Sequence, residues 1–251
     1  MISKMFRIAR MIVLASFALS SAAGATCSNA SLHGTYGFLH DGTDSNGTPI
    51  SAAVSQITFD STTGTFTGET RASHDGAITT FSFSGIYAVA SNCTGTGTPT
   101  GGNPFSIVVT PTGFLAVHAF SEGFAVKQGS PTCTNAEVKG NFVFETTGVF
   151  LAGPATGWVA FIGELKLTVN PSGERVISGH IAGSEGSTTF AEEPVTGTYS
   201  VNSDCRGWAT IKPEGKSALR FSFVVVNSGK ELLAIETDED RLPVVSGTLQ
   251  R

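Results

Sequence analysis

Charge is scarce in this 251-residue chain: Asp, Glu, Lys and Arg make up 14% of it, and the formal balance is −5. Lys and Arg are not clustered, which argues against nucleic acid or an anionic membrane surface as a partner. Long apolar runs are also missing. The stretch from Met11 to Leu19 falls short of the roughly 20 residues that a membrane-spanning helix needs, and no later segment comes close. Extended helical periodicity is absent as well. There is no G-x-S-x-G elbow, no C-x-x-C pair with matching histidines for zinc, and no acidic run with the spacing of an EF-hand loop. Gly95-x-Gly97 is followed by Gly101, one residue out of step with the dinucleotide fingerprint, and no helix follows, so it reads as a flexible strand end. No cofactor is indicated.

The first 25 residues have the pattern of a secretory signal: Lys4, Arg7 and Arg10, then an apolar stretch, then Ala23-Gly24-Ala25 as an A-x-A-type cleavage site. Cleavage near Ala25 would give an exported protein, secreted or periplasmic, with its formal charge shifted from −5 to −8. Thr26 precedes Cys27 where a lipoprotein would carry a small residue, which argues against a lipid anchor.

The rest of the chain is two copies of one unit. CSNASLHGTYGF, Cys27 to Phe38, returns as CTNAEVKGNFVF, Cys133 to Phe144; GIYAVASNCTG from Gly85 returns as GTYSVNSDCRG from Gly197; and Phe105-Ser-Ile-Val-Val aligns with Phe221-Ser-Phe-Val-Val. The organisation expected is a signal over 1–25, one repeat over 26–130 and a second over 131–251. Cys27, Cys93, Cys133 and Cys205 fall two per copy at matching places. Four cysteines allow three pairings, and the repeat selects Cys27 with Cys93 and Cys133 with Cys205, as suits an exported chain.

Short runs of β-branched and aromatic residues are broken by Gly, Asn, Asp or Pro about every 8 to 12 residues, an all-β signature. Each copy divides into eight strands with short connections. Phe81, Phe83, Tyr87 and Val89 share one face of a strand and Thr80, Ser82 and Ser84 the other. Ser106–Val109 and Phe221–Val226 are apolar on both faces, which places them where the units touch each other or a second molecule. Eight antiparallel strands can close into an up-and-down barrel and so remove exposed edges. The expected fold is two tandem small barrels with one disulfide each, the bond tying the start of strand 1 to the turn between strands 4 and 5.

The opening strands, with Gly34, Tyr36 and Phe38 in one copy and Gly140, Phe142 and Phe144 in the other, resemble the first strand of the calycin barrels, the lipocalin and avidin group. The whole C-[ST]-N-A-x-[LV]-x-G-x-[YF]-x-F run also resembles exported bacterial proteins of uncharacterised function. Neither opening strand has the Trp usual in calycins, and the units are shorter than a lipocalin. The calycin resemblance implies a small apolar or amphipathic ligand. Residues expected to line such cavities are Tyr36, Phe38, Phe81, Phe83 and Tyr87 in one unit and Phe142, Phe144, Tyr199 and Trp208 in the other; core packing is the alternative for the same side chains.

Other chemistry is thin. His33, His40, His74, His118 and His180 have no counterparts between copies and read as surface or turn residues. Glu69 and Arg71 share a strand face, Glu192-Glu193 precedes Pro194, and Asp238-Glu239-Asp240-Arg241 reads as a solvated acidic turn. The leading expectation is a non-enzymatic two-barrel binding or structural protein. A barrel enzyme of the isomerase or cyclase kind and a self-associating adhesion or assembly protein are the alternatives.

Overall fold

The computed structural model describes residues 26–130, 132–153 and 156–251; the expected leader lies outside them. The strands of the first half are β1 (Gly34–Thr43), β2 (Pro49–Asp60), β3 (Thr65–His74), β4 (Ala77–Val89), β5 (Thr94–Pro99), β6 (Phe105–Val109), β7 (Gly113–His118) and β8 (Ser121–Lys127). Those of the second half are β9 (Gly140–Phe150), β10 (Gly157–Val169), β11 (Arg175–Glu185), β12 (Thr188–Val201), β13 (Arg206–Pro213), β14 (Leu219–Val226), β15 (Glu231–Glu236) and β16 (Pro243–Gln250). β1 to β8 close into one antiparallel barrel and β9 to β16 into a second. The all-β, two-barrel, up-and-down architecture is therefore what the chain adopts, with Cys27–Cys93 in one barrel and Cys133–Cys205 in the other. Among the described residues no helix is long and apolar enough to cross a membrane.

Alternation along each strand sorts the side chains. Tyr36, Ile57, Phe59, Phe66, Tyr87, Ile107 and Phe114 form the core of the first barrel. Phe142, Phe144, Phe161, Leu165, Tyr199, Phe221 and Phe223 belong to the core of the second. Gly95-x-Gly97, expected as a flexible strand end, instead lies within β5. A Cβ on Gly97 would sit 2.3 Å from Cζ of Phe105, so the glycine makes room for an inward-lying ring.

One end of each barrel is plugged by the repeated N-terminal run, in the same way twice. Asn29 Oδ1 accepts from Val89 N at 2.8 Å, and Asn135 Oδ1 accepts from Val201 N at 2.8 Å. Tyr87 OH donates to Leu32 O at 2.8 Å, while Tyr199 OH reaches Asn135 O at 3.5 Å. Cys27 N donates to Ser91 O and Cys133 N to Ser203 O, which adds backbone bonds beside each disulfide. Buried polar groups are thus satisfied where the chain crosses the barrel mouth.

The two barrels meet through a third apolar cluster. Leu39 of β1, Ala52 and Val54 of β2, and Phe124 and Val126 of β8 pack on Val224 and Val226 of β14, Leu233 and Ile235 of β15, and Val244 of β16. Phe221–Val226 is apolar on both faces because one face fills its own barrel and the other covers the neighbour, as expected. Ser106–Val109 has no such cover: Val108, on its outer face, remains 40% exposed. Gly37 allows a close approach within this cluster, since a Cβ there would lie 2.4 Å from Cγ1 of Val226. Ser246 Oγ donates to Asp41 Oδ2 at 2.9 Å and Ser228 N to Gln128 O at 2.9 Å, tying the periphery.

Candidate functional site

The aromatics expected to line cavities mostly pack on one another. Tyr36 lies edge-on to Phe59 at 5.7 Å and to Phe114 at 5.8 Å, and Phe59 meets Tyr87 at 4.8 Å. Phe38 stacks on Phe114 at 5.6 Å, and Phe83 contacts Phe66 at 6.0 Å. In the second barrel Phe144 meets Phe221 at 5.7 Å, and a void of only about 20 Å3 remains between Phe144, Tyr199 and Phe221. Phe142 and Tyr199 are buried in the same core. Two of the nine expected residues lie elsewhere. Phe81 sits on the inward-facing row of β4 but beyond the packed core, and is 50% exposed. Trp208 points outward, because Ala209 and Ile211 take the inward positions of β13 and alternation puts the residue between Gly207 and Ala209 on the other face.

Trp208 instead lines a groove of about 540 Å3 between the barrels, bounded by the outer faces of β3 and β4 on one side and β13 and β14 on the other. Strand register builds it. β13 and β14 set Trp208 opposite Ser222 and Thr210 opposite Arg220, while β3 and β4 set Arg71 opposite Thr80. Val54 and Val224, at the rim of the inter-barrel cluster, contribute apolar surface.

Three guanidinium groups line this groove in a chain that is acidic overall. Arg206 pairs with Glu69 across the barrels, and holds Asp204 through Nε at 2.9 Å and Nη2 at 2.7 Å. Gln56 donates to the Asp204 carbonyl, which fixes the same corner from the first barrel. Arg71 reaches only Thr80 Oγ1, at 3.3 Å, and Arg220 makes no side-chain hydrogen bond or ion pair among the described residues. The groove therefore offers a half-exposed indole face, two guanidinium groups without a carboxylate partner, and a row of hydroxyls. Guanidinium matches carboxylate, sulfonate or phosphate geometry; an indole face takes a flat apolar or sugar surface.

A second polar constellation closes the other mouth of the second barrel. Glu236 ends β15 pointing inward, is fully buried, and neither carboxyl oxygen has a hydrogen-bond partner. Burial pushes its pKa up to about 8, with Arg241 pulling it down and Asp238 and Glu185 pushing it further up. The turn expected to be solvated is so only at Glu239 and Asp240. Asp238 and Arg241 fold back into the barrel mouth and are buried. Arg241 reaches Glu185 at 3.6 Å and Asp238 at 3.8 Å and stacks over Phe150; Lys216 pairs with Glu193 at 2.8 Å and lies 3.4 Å above the Phe190 ring. Two cations with aromatic platforms thus cover an excess of carboxylates.

His40 in the first barrel also departs from the surface reading. It lies inward beside Phe38, its Nδ1 is buried with no partner, and burial lowers its pKa to about 4. By register it occupies the place of Thr146 in the second barrel, whose Oγ1 is likewise buried and unpaired.

No family model and no curated protein matches this chain. Among solved structures it is similar to a protein of unknown function from the DUF3598 family of Nostoc punctiforme, with 11% identity over 88% of this chain and 95% of that one and a TM-score of 0.27, a likeness that carries no argument about this chain.

Proposed function

We propose that the chain is an exported, non-enzymatic two-barrel protein that binds a small amphipathic anion in the groove between its barrels. The observation that carries this reading is the contrast between filled barrel cores and an inter-barrel groove of about 540 Å3, within the range of roughly 300–1,000 Å3 common for small-molecule sites. The anionic group sits against Arg71 and Arg220, and the ring or chain lies on Trp208 and Val224. The two disulfides suit an extracellular or periplasmic setting. The calycin resemblance supports amphipathic-ligand binding, with the seat moved from the barrel interior to the outer wall.

The test uses an anilinonaphthalene sulfonate dye and laurate as probes in a Trp158→Phe background, so that Trp208 is the sole indole. Dye fluorescence should rise and Trp208 emission change on titration, with laurate competing. The double variant Arg71→Gln/Arg220→Gln and the variant Trp208→Ala should each weaken binding by about tenfold or more, and added salt should weaken it in the parent protein. Dye affinity left unchanged by both variants overturns the assignment.

A further inference from the structure

We infer that this chain associates head to tail with further copies of itself, through the same pair of faces that join its own two barrels. The inter-barrel contact is heterologous: the β14–β15–β16 wall of the second barrel covers the β1–β2–β8 wall of the first. Because the barrels are copies, each of these walls exists twice; the second versions share β8 and β16 with the existing contact, and their remaining strands, β6–β7 in the first barrel and most of β9–β10 in the second, face outward.

Strand register identifies the equivalents. In the covering wall, Val224 lies opposite Leu233 and Ser222 opposite Ile235; in the first barrel, Val108 lies opposite Leu115 and Ser106 opposite Val117. Counting back from the aligned β8 and β16 brings Phe120 to the place of Val244. Four of the six apolar side chains that the second barrel brings to the contact, Val224, Leu233, Ile235 and Val244, thus have apolar equivalents on the first barrel, where Val108, Val117 and Phe120 are 40%, 54% and 65% exposed, while Val226 and Val149 correspond to Thr110 and Thr43. The receiving wall repeats in part. Leu39 opposite Val54 corresponds to Glu145 opposite Ile162, Ala52 to Ala160, and Gly37 to Val143, while Phe124 and Val126 of β8 correspond to Thr248 and Gln250. Ile162 and Val143 are 59% and 66% exposed.

Five of the eleven large hydrophobic side chains exposed among the described residues therefore lie on the two unpaired copies of an interface that the molecule already uses. A covering wall on one barrel and a receiving wall on the other make a heterologous contact, which extends beyond a dimer into rings or open linear assemblies. The contact between chains is weaker than the one within the chain. Val143 stands where Gly37 permits close approach, Glu145 replaces Leu39, and the tether that raises effective concentration is lost. Glu145 and Glu164 on one wall and Glu122 near the other are alike in sign, so salt should favour association.

Sedimentation of the full chain from micromolar to near-millimolar concentration tests this, with Val117→Asp and Ile162→Asp as the two variants. Both positions are more than half exposed, and circular dichroism melts establish that the barrels remain folded. Wild-type protein should show a reversible, salt-promoted series beyond the dimer. Each variant alone should lose association by more than about tenfold. An equimolar mixture of the two should restore dimers and stop there, because one variant keeps the receiving wall and the other the covering wall. A wild-type chain that stays monomeric throughout overturns the inference. So does an Ile162→Asp chain that still self-associates like the wild type, since that would mark a symmetric contact through the β6–β7 wall.

Discussion

Glu236 and His40 carry the largest burial shifts among the groups that titrate between pH 4 and 8, and their effects run in opposite directions. The folded-state pKa of Glu236 is raised from 4.5 to about 8, so the unfolded chain releases this proton first. Its cost to stability is absent below pH 4.5, grows by about 1.4 kcal/mol per pH unit above that, and levels off once the folded state also ionises near pH 8. His40 is lowered from 6.5 to about 4, so the unfolded chain gains that proton first. Its cost therefore appears as pH falls below 6.5 and levels off near 4. Between about pH 4.5 and 6.5 these two slopes oppose each other, with Glu231, also raised by burial, adding to the fall from the acid end of that window, and above 6.5 the His40 slope is gone. Urea denaturation should show only a shallow change across that window and a fall of about 2 kcal/mol from Glu236 between pH 6.5 and 8. Glu236→Gln, which keeps the shape and removes the charge, should abolish the fall. A variant that loses stability between pH 6.5 and 8 as steeply as the parent would show that another group is responsible. Glu236 could not have been singled out from the sequence. It closes an apolar run, Leu232-Leu-Ala-Ile-Glu, and nothing local indicates that Arg241 folds back to cover it.

At the scale of elements, the closed end is the part the sequence revealed most fully, because every component of it occurs twice. The pairing of Cys27 with Cys93 and of Cys133 with Cys205, the asparagine ahead of each opening strand, and Tyr87 with Tyr199 are all in matching places and make matching contacts. Each disulfide closes a long loop, with sequence separations of 66 and 72, and loop entropy alone assigns such a closure about 4 kcal/mol. Replacing Cys27 and Cys93 by serine should therefore destabilise the first barrel by a few kcal/mol while the asparagine and tyrosine plug keeps the fold, as read by urea denaturation against the parent. Stability unchanged in that variant would mean that the plug, rather than the bond, holds the strand ends. The groove was legible only in part. Alternation along β13, with Ala209 and Ile211 inward, already places Trp208 on the outer face, yet its partners Arg71 and Arg220 lie in different repeats. Periodicity fixes which face a side chain occupies but not which face of another barrel it will meet.

The whole molecule depends on how tightly two stable units are joined, and the repeat supplies a control for testing this. Gly37 and Val143 are equivalent positions on the first strands of the two barrels. Val143 is tolerated by its own barrel and stands 66% exposed, so a valine at this place does not oppose barrel closure. At Gly37 the same side chain would enter the space of Val226 and Val224, with Cβ only 2.4 Å from the nearer methyl group. Gly37→Val is thus expected to leave the first barrel intact and to push the second away from it. The overpacking cost is of the order of 1–3 kcal/mol, borne almost entirely by the interface of Leu39, Val54, Leu233 and Ile235. Calorimetry should show a single unfolding transition in the parent split into two in the variant. The groove lined by Arg71, Arg206 and Trp208 should lose its affinity for an anionic probe at the same time, since its walls belong to different barrels. Val143→Gly, the reciprocal change, should leave both the melt and the groove almost unaltered. A Gly37→Val protein that melts in one transition at the parent temperature would mean that the barrels adjust to each other without strain, and the groove would then have to be regarded as a pliable site.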